Sequence, residues 1–592
     1  MCGISGIVDM QSDTRRYIGA FDEVLRRLNR RGPDENGRFL SQRACFLHSR
    51  LAVIDPAHGK QPMSAGRFTL TYNGELYNTQ ELRRELISRG HSFRERSDTE
   101  VLLHAYMEWG ESCVERLNGI YAFAVWDGEK LFLARDRMGV KPLFYAKING
   151  ALYFASEIKA LLAYPDVPRT IDREGMAEVF LLGPGRTPGV TAFKHIFELK
   201  AGQSAVFDGE NLKIRDYWRL KAAPHSQSFA QTVEQTRWLV TDAIKRQTVS
   251  DVPLVAFLSG GLDSSAISAI SGVKSTFSVD YFDNELYFKA NKFQPDSDGA
   301  YVDIMSRFLG TEHTTVKLDT AELADALKDA AAARDLPGMA DVDSSLLLFC
   351  RAVKGYGTVA LSGECADELF GGYPWYRDES VLWQDSFPWA KSPEYRASFA
   401  RPELFAGLDI AAYVRERYEQ TCNAAECLDT DSPLERRMRQ MFMLNTQWFM
   451  ATLLDRKDRM SMYSGLEVRV PFCDHRIAEY MYNVPWDFKN YKGREKGLLR
   501  EAMTGLLPDS VLWRKKSPYP KTLNPAYLRR VSQELSDLLD SPNEPIFDYA
   551  DCDALRGLLQ TKSDTPWYGQ LMTVPQTVAY FLQMNYWLKS VG

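Results

Sequence analysis

The sequence predicts an α/β protein of two units: a layered α/β/β/α or sandwich-like unit over residues 1–218, then a doubly wound parallel sheet with added helices over residues 219–592. Three observations predict it. Before residue 210, short β-type runs outnumber helical ones and are punctuated by turns. After residue 230, buried apolar strands alternate with helical segments, the pattern of a parallel sheet covered on both faces. Between them, DGENLKIRDYWRLKAAPHSQS is polar and contains Pro224, which places a boundary near residue 218.

In the first unit CFLHSRLAVID, RFTLTYNGELY, IYAFAVWDG, KLFLARDR and ALYFAS read as strands. TQELRRELISRG places Leu82, Leu86 and Ile87 on one helical face, with Gly90 at the C′ position. SDTEVLLHAYMEWG carries a Ser97…Glu100 capping box and ends at Gly110. In the second unit the helical run FAQTVEQTRWLVTDAIKRQ precedes the buried strands VPLVAFLS, STFSVDYF and GTVALSG. NELYFKANKFQPDSDG, residues 284–299, reads as a flexible loop, and from about residue 380 the chain is mostly helical.

Composition excludes several function classes. Net charge is −6, which disfavours nucleic acid as a partner. The nine cysteines form no CxxC, and the eight histidines show neither HxxxH nor HExxH spacing. The thiols are expected reduced and no protein-bound zinc is expected. No apolar run is long enough to span a bilayer, and MCGISGIV lacks the basic start of a signal peptide, so a cytoplasmic protein is expected.

Three stretches carry chemistry. Cys2 follows the initiator methionine, so removal of Met1 would leave a thiol and a free α-amino group on one residue. A packed small residue is the plain alternative. Second, VAFLSGGLDSSAISAI runs from an apolar strand through Ser259-Gly260-Gly261-Leu262-Asp263-Ser264-Ser265 into a helix. Such a loop can hold a phosphate at the helix N-terminus. It lacks the GK[ST] of a Walker A loop, and Asp263 beside phosphate makes sense if Mg²⁺ lies between them. Third, GTVALSGECADELFGGYPWY again ends a strand at Ser362-Gly363 and adds Glu364, Asp367 and Glu368. Two such strand ends at one sheet edge can bind one magnesium nucleotide. A capped helix start with dipole-favoured acids is the alternative.

Together MCGISGI, RRGPDENG, HSRLAVID, YNGELYN, SDTEV, LNGIYAFAVWD, RDRMGVKPLFY, ASEIKAL, SGGLDSS, LSGECADELFGGY and DRMSMYSGLEVRVPF occur in the order of glutamine-dependent (class B) asparagine synthetases, over roughly residues 1–515. The resemblance implies a class II glutamine amidotransferase of the N-terminal-nucleophile hydrolase fold, followed by an ATP-pyrophosphatase (PP-loop) domain. By resemblance Cys2 attacks the glutamine amide, with its own α-amino group, of reference pKa about 7.7–8.0, as base. The Asn73 amide and the Gly74 N–H would hold the oxyanion. Arg50 would clamp the glutamine α-carboxylate, Glu75 and Asp98 the α-ammonium, and the backbones of Leu51 and Val53 would assist. Asp98 also suits a plain helix start beside Ser97.

In the second domain Ser259, Gly260, Gly261, Asp263, Ser264 and Ser265 would grip pyrophosphate. Leu258, Val279, Ser362 and Gly363 match positions contacting ATP. Asp263 and Asp367 would hold Mg²⁺. Glu364 matches the acid beside the acyl-adenylate, able to take a proton from attacking ammonia. Lys496, in YKGREKGLLREAM, matches the lysine that neutralises phosphate charge, although its sequence context alone favours a surface helix lysine. A dry passage between the sites would keep ammonia unprotonated, and a channel at the domain interface is inferred.

The implied substrates are glutamine, ATP and L-aspartate; the family often forms homodimers. The acceptor segment RDLPGMADVDSSLLLFC departs from the family: Leu336 replaces an acid, Ser344-Ser345 replace Ile-Pro or Thr-Pro, and the acidic motif reads GECADE. Those departures leave open a larger carboxylate, such as diaminopimelate in peptidoglycan precursors. A non-catalytic storage or regulatory relative would have lost Cys2, Asp263 or Glu364, and all three are present.

Overall fold

Two six-stranded antiparallel sheets stack in the first 216 residues, and a five-stranded parallel sheet follows. The computed structural model describes residues 1–288, 296–561, 566–569 and 571–592. The first sheet runs Phe197–Glu198, Phe144–Ile148, Ala151–Ala155, Gly3–Val8, Ala44–Arg50, Glu35–Leu40; the second runs Leu212–Asp216, Gln203–Phe207, Leu131–Arg135, Gly119–Trp126, Phe68–Leu76, Met63–Ala65. Their facing sides share one apolar layer that includes Ile4, Phe46, Phe154, Ala124 and Leu133. Strands buried on both faces read as unbroken apolar runs, which is why IYAFAVW shows little alternation.

Helix Ile18–Leu28 covers the outer face of the first sheet, and Thr79–Ser88 with Asp98–Trp109 covers the second. This is the expected α/β/β/α layering. The capping box at Ser97 closes on one side only. Ser97 Oγ accepts from the Glu100 N–H, but the Glu100 carboxylate turns to the N–H groups of Arg94 and Glu95. Those donors lie in the loop entering the helix and hold it where a box would have held Ser97.

The third sheet runs Glu312–Leu318, Ser275–Tyr281, Leu254–Phe257, Val359–Leu361, Glu467–Arg469, all parallel. Phe229–Arg246 and Leu262–Ser271 pack on one face and Asp341–Lys354 and Met450–Tyr463 on the other, the doubly wound arrangement. The polar segment 217–227 links the units without regular structure. Of the loop expected over 284–299, Asn284–Tyr287 forms one helical turn and Asp298 opens the helix Asp298–Leu309; residues 289–295 lie outside the described residues. All nine cysteines are free. No helix among the described residues is long and apolar enough to cross a membrane.

Candidate active sites

Cys2 enters the central strand Gly3–Val8 of the first sheet, and Asn73-Gly74 lie mid-strand in the facing sheet. The Cys2 N–H donates to Asn73 Oδ1 at 2.9 Å. Asn73 is fully buried, and its Nδ2 has no hydrogen-bond partner among the described residues. A desolvated amide donor left unpaired beside a thiol is costly unless an oxygen arrives to accept from it. Gly74 admits no side chain, because a Cβ would stand 2.3 Å from the Ile120 carbonyl. Burial pushes the Cys2 thiol up, partly offset by the adjacent terminal amine. Met1 is buried in front of Cys2, with its amine 2.8 Å from Glu467 Oε2 and 3.4 Å from the Leu51 carbonyl.

Around the thiol the expected glutamine-binding residues assemble, with one difference of orientation. Arg50 donates to the carbonyls of Asp55, Pro56 and His58 and pairs with Glu35 at 3.3 Å, so its fork is engaged by the 55–58 loop. Leu51 and Val53 line the same wall, but the Val53 carbonyl accepts from the Asp251 N–H of the second unit. Asp98 takes the first position of its helix and accepts from Tyr72 Oη at 2.8 Å and Leu76 N at 3.2 Å. Burial, reinforced by Asp98, raises Glu75, and burial raises Asp98. An added ammonium would relieve both acids.

Glu467 and Arg469, unannounced by any local pattern, also reach this site. They lie on the edge strand of the second unit's sheet. Arg469 pairs with Glu467 at 2.6 Å and with Glu75 at 3.3 Å. A second buried knot joins the units: Asp458 takes Arg31 at 2.7 Å and Lys141 at 2.7 Å, and Arg31 Nε also donates to the Cys2 carbonyl at 3.0 Å. All seven residues fall inside the motifs quoted above, but no local pattern announces partners hundreds of residues away.

The second site is a cavity of about 570 Å³ at the C-terminal edge of the parallel sheet. Leu254–Phe257 and Val359–Leu361 are neighbouring strands, so their exit loops meet. Gly260 has φ +67°, and a Cβ there would approach Tyr301 Cβ to 2.6 Å. Gly363 lets the second loop close on the first: a Cβ would stand 3.0 Å from that of Asp263. Ser264 Oγ receives the Ser259 N–H at 3.1 Å, and Ser265 Oγ is buried without a partner among the described residues. Leu258, Val279, Ser362 and Gly363 all line the cavity.

Lys496 is not a surface lysine. It is 3% exposed, with Nζ 2.6 Å from Asp263 and 2.8 Å from Asp367. Lys516 adds a second ammonium 3.3 Å from Asp367, and Arg514 donates to the Ser259 carbonyl at 3.2 Å. Burial alone would raise Asp367, but the two lysines hold it below its usual range. Asp263 Oδ1 has no hydrogen-bond partner among the described residues. Two hard carboxylates beside a phosphate-sized loop fit Mg²⁺, which takes few protein ligands and fills its sphere from phosphate and water. Among the described residues no cluster of three or more acids, histidines or cysteines stands ready to hold a metal.

Glu364 accepts from Ser362 Oγ at 2.9 Å and pairs with Lys457 at 3.0 Å. Burial pushes it up, and the cations of Lys457 and Arg456 outweigh that, leaving it below its ordinary value. Lys457, Arg456, Arg514 and Lys516 were missed from sequence. The run Arg514-Lys515-Lys516 after a turn was the available signal for the last two.

The geometry has counterparts. The family described as asparagine synthase matches residues 235–589, and that described as a glutamine amidotransferase domain matches residues 1–218. The chain is 46% identical to asparagine synthetase [glutamine-hydrolyzing] 3 of Bacillus subtilis (strain 168), over 100% of this chain and 99% of that one. It is 29% identical to asparagine synthetase [glutamine-hydrolyzing] 1 of the same organism, over 88% and 87%. To asparagine synthetase B [glutamine-hydrolyzing] of Escherichia coli (strain K12) it is 28% identical, over 91% and 86%. The chain belongs to the asparagine synthase family and carries its glutamine amidotransferase domain at the N-terminus.

Proposed function

We propose that this protein is a glutamine-hydrolysing asparagine synthetase, with residues 1–218 releasing ammonia and residues 219–592 activating L-aspartate. The carrying observation is that two separate candidate sites, a cysteine–asparagine pair and a lysine–aspartate phosphate loop, stand in two units that a buried ionic interface joins. The names of the relatives favour aspartate over a larger carboxylate.

With Met1 removed, Cys2 Sγ attacks the glutamine amide carbon and its α-amine takes the thiol proton. The Asn73 amide and Gly74 N–H hold the oxyanion until ammonia leaves; water then frees glutamate from the sulfur. Arg50 would meet the substrate carboxylate once its fork leaves the 55–58 carbonyls, and Glu75 and Asp98 would meet the ammonium. At the second site an aspartate β-carboxylate oxygen bonds to the α-phosphorus of ATP as pyrophosphate departs. Lys496, Ser259, Ser264 and Ser265 stabilise the departing charge. Asp263 and Asp367 would hold Mg²⁺, whose charge would screen the phosphates. Ammonia attacks the acyl carbon, AMP leaves, and Glu364 takes the surplus proton. We infer a cytoplasmic location and expect a homodimer, which light scattering of the purified protein checks.

Cys2→Ala tests the reading. Glutamine-driven AMP release should vanish while ammonia-driven release persists. Loss of both in folded protein, or cleavage of ATP to ADP instead of AMP, contradicts it.

A further inference from the structure

The C-terminal helix Val574–Val591 carries no residue assigned above, yet two buried glutamines tie it to the acceptor end of the synthetase cavity. Its apolar residues Phe581, Leu582, Met584 and Trp587 are at most 1% exposed and suffice to dock it. A buried amide amid such packing is costly unless its polar atoms are used. Gln583, fully buried, uses one: Oε1 accepts from the backbone N–H groups of Gly338 at 3.1 Å and Ala340 at 3.3 Å. Its Nε2 has no hydrogen-bond partner among the described residues. Two turns earlier, Gln576 donates to Asp341 Oδ2 at 3.2 Å.

The turn so held is one that residues 338–341 would not keep unaided. Ala340 sits at φ 53°, ψ −127°, and a Cβ on Gly338 would collide with Asp343 Oδ2 at 2.0 Å. The turn places Met339 on the cavity wall. The Met339 N–H donates to Asp343 at 2.9 Å, and Asp343 pairs with Arg334 at 3.2 Å and Arg456 at 3.3 Å. Arg456 lines the cavity, lies 4.5 Å above the Tyr519 ring, and precedes Lys457, the partner of Glu364.

We propose that Gln583 is a positioning residue for acceptor recognition: it fixes the 338–341 turn, and through Met339 and Asp343 sets the wall and the Arg456 guanidinium that face the acceptor carboxylate. This rests on the reading that the acceptor occupies the cavity beside Glu364. Because the amide nitrogen makes no bond there, a side chain keeping only the oxygen should serve.

The test uses the full-length chain with Gln583→Met and Gln583→Glu. Hydrogen exchange is followed in the peptide spanning 336–344, with the 259–265 loop as control. Pyrophosphate release is measured with ammonia while aspartate and ATP are varied in turn. Gln583→Met should speed exchange of the Gly338 and Ala340 amides by about tenfold or more. It should raise the aspartate KM about tenfold, leaving the ATP KM within about twofold and glutaminase turnover unchanged. Gln583→Glu, whose carboxyl this buried apolar site beside Asp341 and Asp343 keeps protonated, retains the accepting oxygen and should lie closer to wild type than Gln583→Met in both values. If Gln583→Met does not fold, Gln576→Met should show the same shifts at smaller size. Unchanged exchange, or faster exchange with an unmoved aspartate KM, overturns the proposal. A wild-type protein inert to aspartate would instead overturn the acceptor reading, and exchange alone would then decide whether Gln583 holds the turn.

Discussion

Arg469 Nη2 lies 3.3 Å from Glu75 Oε2, across 394 residues of sequence and across the boundary between the two units. The same guanidinium donates to Glu467 and to the carbonyls of Gln247 and Val249. Glu75 is thus held by a cation that the amidotransferase unit does not itself contain. Arg469→Lys keeps the charge but loses the fork. The glutamine KM should rise about tenfold while ammonia-driven synthesis stays near wild type, read from initial rates with each nitrogen source.

Asp458 bridges Arg31 and Lys141 at the interface. In Asp458→Asn the two cations lose their shared anion, and Arg31 keeps Glu157 at 3.1 Å and the Cys2 carbonyl. Breaking a buried pair from one side costs about 3–5 kcal/mol. The expected outcome is a lower Tm and fewer asparagines formed per glutamine hydrolysed, checked by calorimetry and by the glutamate-to-AMP ratio.

Lys457 governs the ionisation of Glu364. Burial raises this carboxyl, and Lys457 and Arg456 pull it below its ordinary value. In Lys457→Met the first and nearer cation is gone, so the acid limb of ammonia-driven synthesis should move to higher pH by about one unit or more. An unmoved limb would show that Glu364 does not carry the proton.

Glu368 offers a stability test. It is buried, beside Asp367, and pushed up to about 8, with Tyr373 Oη donating to it at 2.8 Å. A carboxyl raised in the folded state binds more protons folded than unfolded between its two pKa values. Stability is therefore fully present at low pH and is lost as pH rises towards about 8. Glu368→Gln removes that slope, of at most about 1.4 kcal/mol per pH unit. The Tm advantage of the variant over wild type should widen from pH 6 to pH 8 and then level off.

Most of the fold was legible because its strands are short, apolar and bounded by turn residues, and because its loops join strand to helix at positions a sequence displays. The SGGLDSS loop is one such case: strand, glycines, acid and helix are contiguous. The cations that pair with Glu364 and Asp367 were not legible. Lys457 sits within a helix whose polar residues are buried from several sides, Lys457 against Glu364 and Phe257 of its own unit and Asp458 against Arg31 of the other, so its sequence neighbourhood resembles a solvated face. Lys496 was equally ambiguous, since only the tertiary approach of Asp263 and Asp367 distinguishes it from a surface lysine. Arg50 was identified by its motif, but the engagement of its fork by the 55–58 loop depends on a turn whose shape the sequence does not spell out.

The edge strand Glu467–Arg469 lends a buried acid and a guanidinium to Met1 and Glu75 in the other half of the molecule. A chimera cut at the linker and joined to a foreign synthetase half would therefore inherit an incomplete glutaminase. Exchange between relatives should succeed only when that three-residue strip travels with its original N-terminal half.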